Sequence, residues 1–189
     1  MNKSTVRKMV GYAALTYVAT QIIKHIMVIN YLKDIDNKRQ YPEGTKLGVC
    51  DAGIEIVYNP LSVAASGLLF AASATEKSGE IKIWVDDNYL KLDDTDKEAI
   101  LQHEIAHVMK NHLSSNLCQH EYVKKRQKGD AEILRMEYEA DEAAACVVGV
   151  DNMIHAITMM SANEVCAKNK KTLKELNARI EHLTKMKLV

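Results

Sequence analysis

The chain has 189 residues, 47% of them hydrophobic, and its 25 basic side chains are balanced by 25 acidic ones. This balance gives no basic field for nucleic acid and no acidic excess of the kind found in disordered chains, so we expect no nucleic-acid partner. The length suffices for one hydrophobic core with a helical appendage. Few aromatic residues (5%), 8 glycines and 2 prolines favour a mostly helical protein over a β-sandwich.

The cysteines give no sign of a zinc ribbon or of a disulfide framework. None of the four belongs to a C-x-x-C pair, and a chain of this size does not need disulfides to fold. We therefore expect a reducing, cytoplasmic environment. The four are Cys50, Cys118, Cys146 and Cys166.

Residues 4–32 show apolar residues at helical spacing and predict an amphipathic helix. Its uncharged part, from Met9 to Ile23, is shorter than the roughly 20 residues that a membrane span needs. The basic start is not followed by a small-x-small cleavage site. A soluble helix is favoured, and a membrane-associated or spanning helix and a cleaved signal are the alternatives. Residues 33–48 are taken as a connector, which gives an N-terminal segment 1–45 and a domain 46–189.

Two strands are predicted next. Residues 53–58 alternate between apolar and polar side chains and end at Asn59-Pro60, and residues 80–85 alternate more clearly, with Ile81, Ile83 and Val85 on one face. The small-residue stretch 62–78 between them is compatible with a helix or a loop. A helix then starts at 93–95, where Thr95 and Glu98 fit a capping box, and is expected to reach about Leu117.

This helix carries the pattern H-E-x-x-H, formed by His103, Glu104 and His107. Residues four apart share a helix face, so the two imidazoles can bind one metal ion. Glu104 would lie beside the metal and could take a proton from a metal-bound water. The alternative is an exposed charged helix that carries two histidines by chance.

A second helix, predicted from a cap at Asp130 to about Val148, supplies further candidates. A catalytic zinc site needs three protein ligands plus water, and we assign Glu137 as the third ligand. Asp141, four residues on, is assigned as the acceptor for the free N–H of a ligating histidine. Glu139 lies roughly 160° further round a regular helix and is given no such role. Two more helices are predicted at about 151–162 and 169–187.

The segments 103–112 (H-E-I-A-H-V-M-K-N-H) and 137–141 (E-Y-E-A-D) resemble the gluzincin peptidases of the CAAX-prenyl-protease and HtpX type. The resemblance covers roughly residues 79–152, and small phage-encoded or antirepressor-cleaving zinc peptidases carry a similar pair of motifs. The metzincin pattern is excluded, because it requires Gly and His where this chain has Lys110 and Leu113.

The resemblance implies an α+β, zincin-like fold, in which a small, mostly antiparallel sheet packs on the two motif helices, with further helices on either side. It also implies one Zn²⁺ ion per chain and a polypeptide substrate held by an edge strand. That strand is expected to consist of Ile81, Lys82, Ile83, Trp84 and Val85.

The expected function is therefore that of a zinc-dependent endopeptidase with Glu104 as general base. A non-hydrolytic zinc-binding scaffold and a zinc hydrolase of other substrates are the alternatives, and an intact Glu104 favours catalysis. A donor for the oxyanion is expected, with His112, His155 and Tyr138 as candidates. On a regular helix His112 lies roughly 140° from His107, which predicts a structural role rather than a metal ligand. His155, Met159 and Met160 are also predicted to be packing residues.

Overall fold

The computed structural model describes residues 30, 33, 39–65, 71–75, 79–112, 131–162 and 170–187. The chain forms two compact units, Met1–Arg39 and Gln40–Val189, and the elements described below belong to the second. The predicted N-terminal helix lies almost wholly outside the described residues, as does the predicted cap Asp130. The expected domain boundary after residue 45 stays a prediction.

A four-stranded mixed sheet forms one part of this unit. Its strands are β1 (Thr45–Val49), β2 (Glu55–Tyr58), β3 (Ala71–Thr75) and β4 (Ile81–Val85), in the spatial order β1-β2-β4-β3. β1 pairs antiparallel with β2, β2 pairs parallel with β4, and β4 pairs antiparallel with β3. Two of the three pairings are thus antiparallel, and the sheet belongs to an α+β protein, as expected.

The structure corrects the expectation for the edge strand. β4 is an inner strand, because Ile83 pairs with Ile56 of β2 on one side and with Ser73 of β3 on the other. A strand with two neighbours uses its main-chain groups within the sheet and offers no free edge to a substrate. The outer strands of this sheet are β1 and β3. The prediction that Ile81, Lys82, Ile83, Trp84 and Val85 form an edge strand was therefore wrong.

Strands β1 and β3 also lie where the residue pattern is less indicative of a strand. β1 begins inside the segment 33–48 that was interpreted as a connector. The small-residue stretch 62–78 contains both the end of a short helix and all of β3. Alanine and serine have little strand propensity, and β3 forms because its partner β4 supplies the pairing.

Six helices are described in this unit. They are α1 (Pro60–Ala65), α2 (Asp87–Leu90), α3 (Asp94–Met109), α4 (Ala131–Val148), α5 (Val150–Ala162) and α6 (Lys170–Met186). The predicted ends of α4, α5 and α6 are confirmed to within two residues. Gly149, with a φ of 91°, separates α4 from α5 as expected, because glycine adopts this conformation without a steric penalty.

Helix α3 differs from the prediction at both ends. Its N-cap is Asp93, whose carboxylate accepts from the backbone N–H of Asp96, and not Thr95. Its last residue is Met109 rather than Leu117. Two residues later Asn111 has a φ of 59°, the left-handed conformation that commonly ends a helix and that asparagine tolerates better than most residues.

The core joins the inner sheet face to the helices. α3 packs against α4, α5 and β3, and α6 packs against both α4 and α5. Ala140 and Ala144 of α4 are fully buried, and such small side chains let two helices approach closely. Buried members of the core include Ile83, Val85, Ala99, Ile100, Met153, Ile157, Leu176 and Leu183. Among the described residues, no helix combines the length and the apolar character that crossing a membrane requires.

Candidate metal centre

Three potential metal ligands meet between α3 and α4. The Nε2 atoms of His103 and His107 are 3.0 Å apart, and the carboxylate of Glu137 lies 3.5 Å from the first and 3.8 Å from the second. All three side chains are buried, and their ligand atoms lie within 4.8 Å of one another. The structure thus brings together the three residues that the two motifs suggested, in a group that could hold a metal ion.

Asp141 lies behind His103, on the side of the ring away from this group. Its Oδ1 is 2.8 Å from Nδ1 of His103, and the side chain is completely buried. A carboxylate at this place accepts the Nδ1–H proton and leaves the Nε2 lone pair directed at the three-ligand group. This is the contact that the sequence suggested for Asp141.

A buried arginine completes this side of the centre, and sequence reasoning missed it. Arg179 of α6 is only 1% exposed. Its Nε and Nη2 donate to the two carboxylate oxygens of Asp141 at 2.7 and 2.6 Å, and its Nη1 donates to Oε2 of Glu137 at 2.9 Å. A signal existed in the sequence, because Arg179 lies three residues after the buried Leu176 and four before the buried Leu183, on the apolar stripe of α6.

The pKa values of His103 and His107 depend on these neighbours. Burial and the Arg179 charge lower the pKa of His103, but Asp141 and Glu137 outweigh both and raise this pKa to about 9. Burial together with the charge on His103 lowers the pKa of His107 to about 3. Burial would raise the pKa of Asp141, yet Arg179 and His103 keep it below its ordinary value. The site thus favours one positive charge between the two Nε2 atoms.

The carboxylates of the centre are compatible with a bound cation. Glu137 and Asp141 are both buried and share one guanidinium, that of Arg179. Buried charge is costly unless it is compensated, so a cation held by His103, His107 and Glu137 would be stabilised by these carboxylates.

His112 lies closer to the centre than a regular helix allows. Because α3 ends at Met109 and the chain turns at Asn111, the His112 ring folds back, and its Nδ1 is 2.9 Å from Nδ1 of His107. The predicted angle of roughly 140° assumed that the helix continued. His112 contacts the Nδ1 side of His107, opposite to Nε2.

The other two candidates for an oxyanion donor are engaged elsewhere. Tyr138 stacks on His182 of α6 with ring centroids 4.2 Å apart. His155 is exposed, and its Nδ1 lies 2.8 Å from Oδ1 of Asp96, two helical turns before His103. His155 and Met159, which is 43% exposed, were wrongly predicted to be packing residues, whereas Met160 does pack against the core.

No family model, curated protein or solved structure matches the chain.

Proposed function

We propose that this protein is a zinc-dependent endopeptidase with a zincin-like core. The observation that carries the proposal is the buried group of His103, His107 and Glu137, in which both imidazoles present Nε2 to the same point. Two lone pairs 3.0 Å apart repel each other unless a cation or a proton lies between them. Asp141 contacts Nδ1 of His103 and His112 contacts Nδ1 of His107, and both contacts support an orientation in which the Nε2 atoms face the metal position.

The ligand types favour zinc over the other common divalent ions. Two imidazole nitrogens and one carboxylate oxygen form a set typical of catalytic zinc sites that keep a fourth position open. Magnesium and calcium prefer all-oxygen sets. A bound zinc ion would supply Lewis-acid chemistry, polarising the scissile carbonyl and making a water molecule acidic near neutral pH.

The chain's own residues would carry out the proton transfers and the positioning. Glu104 takes the proton of the attacking water and passes it to the leaving amine nitrogen. Asp141 keeps the Nδ1 proton on His103, and Arg179 holds the carboxylates of Asp141 and Glu137 in place. Burial of Glu104 and Glu137 strengthens each of these electrostatic interactions.

The position of the outer strand β3 supports the proposal that the substrate is a polypeptide. In the described part of the chain β3 pairs only with β4, and it packs against α3, the helix that carries His103 and Glu104. An extended peptide that adds to such an edge gains main-chain hydrogen bonds. β3 therefore replaces β4 as the strand that we assign to substrate binding.

The test compares zinc content and cleavage of labelled, unfolded casein for the wild type and three variants. We expect about one zinc per chain in the wild type, retained in Glu104→Gln with loss of cleavage and lost in Glu137→Ala. Glu142→Gln is the matched control, because Glu142 lies on the same helix but bonds to His182. Cleavage by Glu104→Gln at the wild-type rate, or a wild type that binds no zinc, would refute the proposal. A wild type that binds zinc and cleaves nothing supports a zinc-binding scaffold instead.

A further inference from the structure

His107 is joined through His112 to a carboxylate at the protein surface. Nδ1 of His107 lies 2.9 Å from Nδ1 of His112, and Nε2 of His112 lies 3.2 Å from Oε2 of Glu139. His112 is buried, whereas the Glu139 side chain is 34% exposed and also bonds to the guanidinium of Arg135. These contacts connect the end of α3 to the third turn of α4.

The carboxylate determines the direction of every proton in this chain of contacts. Glu139 is acceptor-only when ionised, so the proton of neutral His112 belongs on Nε2. His112 Nδ1 is then a lone pair and must accept, which requires His107 to carry its proton on Nδ1. The opposite arrangement would direct the His112 Nε2 lone pair at a carboxylate oxygen, and two acceptors repel.

This tautomer determines which nitrogen of His107 can bind a metal ion. With its proton on Nδ1, His107 has its lone pair on Nε2, 3.0 Å from Nε2 of His103. The two imidazoles are thus oriented by different means. His103 is held by the buried Asp141, which Arg179 holds in turn, and His107 is held through a second histidine by the partly exposed Glu139.

We propose that His112 and Glu139 are positioning residues that fix the tautomer and ring orientation of His107 for metal binding. This inference rests on the proposed function, because it concerns the same centre. It assigns a role to the additional histidine of the H-E-x-x-H segment and to Glu139. Outer partners of this kind typically change metal affinity by about 10-fold to 100-fold when they are removed.

The test measures zinc affinity by chelator competition at one fixed pH, together with the visible absorption spectrum of the Co²⁺-substituted protein. His112→Ala should weaken zinc binding by about 10-fold to 100-fold. His112→Asn should recover most of that loss, because its side-chain oxygen can accept from His107 where Nδ1 does now. Glu139→Gln should weaken binding less than His112→Ala and alter the cobalt spectrum.

Two controls separate this role from general stabilisation. Glu142→Gln changes the corresponding carboxylate–histidine pair on α4 and α6, which does not reach His107, and should leave affinity and spectrum unchanged. If His112→Ala fails to fold, Glu139→Gln decides the question. Wild-type zinc affinity and an unchanged cobalt spectrum in folded His112→Ala, or in folded Glu139→Gln if His112→Ala does not fold, would overturn the inference. A wild type that binds zinc without cleaving casein would refute the peptidase proposal but not this one.

Discussion

Replacing Arg179 by methionine should strongly destabilise the metal-free protein. The substitution keeps an unbranched side chain in the space but removes the charge and all three of its hydrogen bonds to Asp141 and Glu137. Both carboxylates remain buried, at 0% and 2% exposure, with no guanidinium to compensate them.

The magnitude follows from these contacts. A hydrogen bond to a charged group contributes about 1.5–3 kcal/mol, but burying the guanidinium itself offsets a large part of that gain. Removing one partner of a buried ion pair typically costs about 3–5 kcal/mol, and we expect a loss in this range for Arg179→Met. The loss of stability for Arg179→Lys should lie between zero and that of Arg179→Met, because one ammonium group keeps the charge but cannot reproduce a two-point contact with Asp141.

Urea unfolding of the zinc-free protein, with and without added zinc, measures this effect. Zinc should recover part of the loss, because the ion compensates Glu137 in the variant. Lys174→Met, at an exposed position on the same helix, is the control and should change the free energy of unfolding by less than about 0.5 kcal/mol. A loss below about 1 kcal/mol for Arg179→Met would show that the buried carboxylates do not depend on this arginine.

Three further predictions concern stability. Burial raises the pKa of Asp86 from 3.8 to about 7, so the folded state holds this proton more tightly than the unfolded state and the wild type loses stability as pH rises between these values. Asp86→Asn keeps a side-chain oxygen that can cap the helix, and it should remove this loss of stability, which is on the order of 2–4 kcal/mol. Urea unfolding at pH 5 and at pH 8 measures the effect. An equal change in the free energy of unfolding between these two pH values for the wild type and the variant would contradict the prediction. Hydrogen bonding to Asp96 raises the pKa of His155, so its contribution is complete below about pH 6.5 and disappears as pH rises through the folded-state pKa; His155→Gln should abolish that dependence. Asn111→Val should be about 1–2 kcal/mol less stable than Asn111→Gly in the same assay, because only valine has a Cβ that crowds the left-handed backbone, and equal stabilities of the two variants would refute the argument.

Features that depend on neighbouring residues could be predicted well. The ends of α4, α5 and α6 follow from apolar periodicity and from Gly149, which terminates α4. The pairing of His103 with His107 needs only the four-residue repeat of a helix. Strand β4 was also identified correctly from its alternation.

Features that depend on distant partners could not be predicted. Alternation marks β4 as a strand, but its place between β2 and β3 is a choice among pairings far apart in the chain. The end of α3 was missed because the left-handed turn at Asn111 replaces a continuing helical pattern. That turn brings His112 back onto His107, a contact that a regular helix forbids.

The sequence by itself determined the ligand types, their spacing along two helices and the balance of charge. Only the tertiary structure decided how these ligands are held, because α6 brings Arg179 to Asp141 and Glu137 across 38 or more positions of the chain. Such contacts leave no local periodic signal, since they arise from helix packing. A lone arginine on an apolar stripe indicates only that a buried partner must exist, and the packing of α6 on α4 shows which partner it is.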